Sequence, residues 1–231
     1  MVKLEVCAGN MESALNAQNA GADRIELCTE LSVGGLTPSY GMIKLARELV
    51  NIPIYVLIRP RSGDFNYNLL ELEQMKEDIM FCAQEQIDGV VIGALTSERT
   101  VNERMVAELM EAANYMDVTF HRAFDAVTNP FEALDALKEL GVQRVLTSGG
   151  IGKAMDHVEL LSELIEEAGD EMLIMPGGGI RPETVTDFLR LGIQEVHSSC
   201  LKEDQSCPDL EQIRLMKRTI ALFEDEVKDN W

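Results

Sequence analysis

The sequence predicts an α/β protein with one domain over residues 1–231, a (βα)₈ TIM barrel. Three observations predict it. Eight short β-rich runs alternate with segments of helical period. Several runs follow the same punctuation, Gly21-Ala22-Asp23, Gly141-Val142-Gln143 and Gly192-Ile193-Gln194, in which a glycine can end a helix in the left-handed conformation just before a strand begins. Eight such units in 231 residues suit a closed barrel better than an open doubly wound sheet. An open sheet would show longer apolar strands and often a dinucleotide fingerprint after the first one.

In chain order, the strands are expected at 4–7, 24–28, 54–58, 89–93, 118–121, 144–147, 172–175 and 195–198. Between them, Leu72, Met75, Ile79 and Cys82 step by threes and fours, which places them on one helical face. Met105, Leu109, Ala112 and Met116 do the same, as do Ile213, Met216, Ile220 and Phe223. Thr37-Pro38 and Asn129-Pro130 each put a capping residue before a proline at the first helical position, and Glu132 completes a capping-box pattern with Asn129.

Nearly half of the residues are apolar, enough for a large core, and no apolar run approaches the roughly 18 residues that a membrane span needs. The chain opens on strand-like Leu4-Glu5-Val6-Cys7 rather than on a basic-then-apolar leader, which predicts a cytoplasmic protein. Five cysteines at scattered spacings predict free thiols in a reducing compartment. A net charge of −20 argues against nucleic acid and against an anionic membrane surface as partners. A small anionic ligand would need a local basic cluster, and the sequence has one.

Strand residues two apart share a face, and barrel enzymes place their chemistry at the C-terminal strand ends. In 4–7, Leu4 and Val6 suit the helices, so Glu5 and Cys7 face inward; Glu26 and Cys28 repeat the pattern in the second strand. The third strand ends at Arg59 and Arg61, the fifth at His121 followed by Arg122 and Asp125, and the eighth at His197. The sixth runs into Thr147-Ser148-Gly149-Gly150, and the seventh into Pro176-Gly177-Gly178-Gly179, with Pro182 expected to start the next helix. The polar strand residues thus collect at one parity and one end. Buried charges must be paired or they cost several kcal/mol each, and apolar side chains fill a core at less cost, so the pattern points to a site.

Taken in order, Leu4-Glu5-Val6-Cys7, Gly21-Ala22-Asp23-Arg24-Ile25-Glu26-Leu27-Cys28, Gly34-Gly35-Leu36-Thr37-Pro38-Ser39, Ile58-Arg59-Pro60-Arg61, Gly63-Asp64-Phe65, Thr119-Phe120-His121-Arg122-Ala123-Phe124-Asp125, Leu146-Thr147-Ser148-Gly149 and Met175-Pro176-Gly177-Gly178-Gly179-Ile180 resemble the CutC family of copper homeostasis proteins. The resemblance runs from residue 2 to about residue 200. It implies a cytoplasmic barrel, a homodimer, and copper handling with Cu(I) held at cysteines, for which Cys7 and Cys28 are the matching positions. The sequence departs from the family pattern at Ser62, where a glycine is usual, at Asn66-Tyr67-Asn68, and at Cys200.

Two chemistries fit these residues. Cu(I) is soft and prefers thiolate or thioether ligands; Cys7 and Cys28 end adjacent strands, with His121, His197 or Met175 as auxiliaries. The alternative is a cofactor-independent enzyme (an isomerase, aldolase or lyase) acting on a small anionic metabolite, phosphorylated or not. Arg59, Arg61 and Arg122 would then grip the anion, together with Ser148, Ser198 and the Gly177, Gly178 and Gly179 turn. Glu5, Glu26, His121, Asp125 and His197 would supply acid–base groups.

Overall fold

Among the residues described in the computed structural model, 1–202 and 207–229, eight strands and eight α-helices alternate. The strands are β1 (Lys3–Ala8), β2 (Arg24–Leu27), β3 (Ile54–Leu57), β4 (Gly89–Ile92), β5 (Asp117–Phe120), β6 (Arg144–Thr147), β7 (Leu173–Pro176) and β8 (Glu195–Ser198). The helices are α1 (Met11–Ala20), α2 (Tyr40–Leu49), α3 (Leu69–Gln84), α4 (Glu103–Ala113), α5 (Pro130–Glu139), α6 (Val158–Ala168), α7 (Val185–Leu189) and α8 (Leu210–Asp229). All ladders are parallel. The order β7-β6-β5-β4-β3-β2-β1-β8 curls the sheet into a nearly closed barrel, with β8 beside β7 at the seam. No helix of the described residues is long and apolar enough to cross a membrane.

The local signals explain the element ends. Gly21, Gly141 and Gly192 take φ of 92°, 76° and 78°, the left-handed region that closes a helix at little cost only for glycine. Asn129 caps α5 by accepting from the N–H groups of Phe131 and Glu132, with Pro130 at the first helical position. The reciprocal capping box expected there stands at α3 instead, between Asn68 and Glu71.

Two helix starts differ from expectation. Ser39, not Thr37, caps α2; Thr37 is laced to the end of β3, where its hydroxyl accepts from the Arg59 N–H at 2.8 Å. Pro182 lies in a turn, and α7 begins only at Val185 and runs for five residues.

The main core fills the space between strands and helices. Leu4, Val6, Ile25, Leu27, Ile54 and Val56 face outward and are buried against a helical layer that includes Leu72, Met75, Ile79 and Cys82. Each such side chain contributes about 1.5–3 kcal/mol by leaving water. Met116 lies beyond the end of α4 and is buried all the same. Because strand parity sends the apolar residues outward, the alternate positions fill the barrel with Glu5, Arg24, Glu26, Thr119, His121, Arg144, Glu195 and His197, all buried.

Candidate functional site

The deepest inward residues form an ionic network at the N-terminal end of the barrel. Glu195 accepts from Arg24 Nη2 at 2.5 Å and from Arg144 Nε at 2.5 Å. Arg24 Nε donates to Glu5 at 2.5 Å, and Arg144 Nη1 donates to Thr119 at 3.2 Å. The Tyr55 ring lies beneath both guanidinium groups, 4.4 Å from Arg24 and 5.3 Å from Arg144, and its hydroxyl donates to Asp117. Every charge here has a partner, as burial requires. Sequence reasoning missed Arg24, Arg144 and Glu195, although each stands at the first inward position of its strand and shares the parity of the residues above it.

Glu5 belongs to this network rather than to the mouth. Burial alone would raise its carboxyl, but the Arg24 charge and the His197 hydrogen bond outweigh that and bring it down to about 2. His197 Nδ1 stands 2.7 Å from Glu5 Oε1, and its Nε2 stands 3.9 Å from Glu26. Burial disfavours the His197 cation; the Glu5 bond and the charges of Glu26 and Glu5 overcome this and raise it. Met175, a candidate auxiliary ligand, is turned downward, where its sulfur accepts from Arg24 at 3.4 Å.

At the C-terminal strand ends lies a cavity of about 480 Å³ whose lining includes Cys7, Glu26, Arg59, His121, Arg122, Asp125, Gly178, Gly179, His197 and Ser199. Cys7 and Cys28 bring their sulfurs to 3.6 Å, with Cys28 fully buried behind Cys7. A Glu26 carboxylate oxygen and both sulfurs lie within 4.8 Å of one another. The contact with Cys28, burial and the Glu26 charge push the Cys7 thiol well up, and burial also raises Glu26.

His121 faces the same cavity from β5. Its ring rests on Gly93, where a Cβ would come within 2.3 Å of it, so only glycine leaves the ring its place. Its Nδ1 accepts from the Ala123 N–H at 3.0 Å. Burial and the nearby Arg59 charge push it down to about 3, so the ring is neutral, with its proton on Nε2.

The arginines divide. Arg59 donates to the carbonyls of Val33 at 2.8 Å, Gly35 at 3.0 Å and Gly63 at 3.0 Å, so its fork ties two loops together instead of standing open. Arg61 lies outside the cavity lining, where it pairs with Glu71 at 2.5 Å and Asp64 at 2.9 Å. Arg122 lines the cavity and donates to Asp125 at 2.7 Å and to Ser148 at 2.7 Å. Both Asp125 oxygens are engaged, by Thr147, Ser148 and Arg122. Ser198 has the opposite parity to His197 and bonds the Ile180 carbonyl at 2.8 Å, so Ser199 takes the cavity position. Gly177 is packed beneath, against Leu146 and His197. Cys200 is buried beside Ser198, away from the mouth.

A larger hollow, about 840 Å³, opens at the opposite end and includes Arg24, Tyr55, Asp117 and Arg144 in its lining. Its buried cations, Arg24 and Arg144, are already paired with Glu5 and Glu195. The thiol pair and a His121 ring proton with no partner among the described residues stand at the mouth, which is therefore the candidate site.

The model of the CutC family matches residues 2–202. The chain belongs to the CutC family. The human copper homeostasis protein cutC homolog is 45% identical over 197 residues, covering 85% of this chain and 72% of its own. A CutC-family protein of Serratia proteamaculans is 46% identical over 199 residues, covering 86% of this chain and 79% of its own. The crystal structure of the CutC chain of Streptococcus agalactiae superposes with a TM-score of 0.82 at 34% identity, covering 86% of this chain and 99% of that one. The CutC match takes in both ends of the barrel, the ionic network and the mouth alike.

Proposed function

We propose that this CutC-family chain serves copper homeostasis in the cytoplasm by holding one Cu(I) between the thiolates of Cys7 and Cys28. The 3.6 Å separation of two buried sulfurs at the edge of an open cavity carries this reading. Soft thiolates select Cu(I) over hard cations. Cys7 and Cys28 would hold the ion at the cavity wall and would leave a further ligand position open toward the cavity. Glu26 is a hard ligand and a poor occupant for it, so a soft group of a donor or acceptor can enter and take the ion by exchange. The family likeness supports a homodimer as the working form.

The test is an anaerobic Cu(I) titration against a competing chelator. The expected result is one Cu(I) per chain, lost in a Cys7→Ser/Cys28→Ser double variant that keeps the native circular-dichroism spectrum. Unchanged stoichiometry in that variant would overturn the proposal.

A further inference from the structure

We infer that the mouth also binds a small oxyanion, a carboxylate or a phosphate monoester, on His121, Arg122 and the Gly178–Gly179 backbone. This goes beyond copper binding and stands on different residues. The thiol pair lies on β1 and β2; the proposed anion groups follow β5 and β7, and β5 stands across the barrel from β1.

His121 carries the argument. It is 5% exposed and lines the cavity. Its Nδ1 is taken by the Ala123 N–H, so Nε2 bears the proton, and Nε2 is buried with no hydrogen-bond partner among the described residues. A buried donor left without an acceptor is costly and rare in folded proteins. The acceptor it lacks is supplied by a molecule in the cavity.

The surroundings fit an oxyanion. Arg122 is held in place by Asp125, Ser148 and the Gly152 carbonyl through Nε and Nη2, while its Nη1 has no partner among the described residues. Both Asp125 oxygens are occupied by Thr147, Ser148 and Arg122, so the Arg122–Asp125 pair is neutral overall and what it offers the cavity is the Nη1 donor. Gly178 and Gly179 have φ of 101° and 77°, and their N–H groups have no partner among the described residues. A Cβ on Gly178 would stand 3.5 Å from Arg122 Nη1, filling the space that an anion would use. Barrels commonly bind phosphate on the loops after their last two strands, and a cavity of about 480 Å³ holds a small metabolite.

The test uses metal-free full-length protein, so its outcome does not depend on Cu(I). The chain has three histidines, which makes their ¹⁵N-labelled ring signals few enough to follow. Malate and glycerol 3-phosphate are titrated in turn. The expected result is a saturable shift of the His121 Nε2–H signal with at least one probe, while His157 stays put. The probe that works identifies the oxyanion as carboxylate or phosphate. Arg122→Met, at a partly exposed position, should weaken binding by about ten-fold or more. His121→Phe should abolish it while keeping a ring against Gly93. A His121 signal unmoved by both probes up to roughly 10 mM, or undiminished binding in Arg122→Met, would overturn the inference.

Discussion

The sulfurs of Cys7 and Cys28 meet at 3.6 Å although the two residues are not register partners. The ladder sets Cys7 opposite Glu26, and Cys28 lies two residues further along the same face, so the contact is diagonal. The same register puts the Glu26 carboxyl beside the thiols, and its charge helps to keep Cys7 protonated.

Metal binding at this pair must therefore release protons. With Cys7 holding its proton at neutral pH, Cu(I) affinity should rise about ten-fold per pH unit for each proton displaced. Chelator competition at about pH 6.5 and about pH 8.5 checks this. Equal affinities would show that the thiolate is already formed.

Arg24 joins two buried carboxylates, Glu5 and Glu195. Arg24→Met leaves both short of a partner and should cost about 3–5 kcal/mol. Urea unfolding at neutral pH measures it. A loss within the error of the wild-type midpoint would show that Arg144 and Lys3 compensate for the missing charge.

Acid should weaken the fold through His121 first. The folded ring takes a proton only near pH 3, whereas an unfolded histidine does so near 6.5. Below about 6.5 the unfolded chain therefore gains a proton that the folded chain refuses, and stability falls by about 1.4 kcal/mol per unit. Glu5 adds a further loss as pH drops from 4.5 toward about 2. His197 acts in the other direction. Its raised value contributes stability below 6.5 that is lost as pH rises through its folded value. Unfolding free energies at a series of pH values check the profile, and His121→Phe should flatten its first acid limb.

Much of this was legible from alternation alone. Strand parity placed Cys7, Glu26, Cys28, His121 and His197 inward because outward positions must be apolar to meet the helices. Parity does not give the stagger between strands, which decides depth. Glu5 and Cys7 share a face, yet one is sealed beneath the cavity and the other lines it. Nor does the sequence show what a long side chain chooses once it arrives. Arg59 spends its fork on three loop carbonyls, and Arg61 turns to Glu71, contacts fixed by loop paths rather than by spacing. Ser198 has the helix-facing parity of Val196, so the cavity position falls to Ser199.

The interlocked Arg24, Arg144 and Glu195 close the barrel at its N-terminal end, and the two hollows share no lining residue. The upper chamber therefore has the ionic network as its floor. An ion at Cys7 and a molecule at His121 would share one small room, so each would narrow the space left to the other.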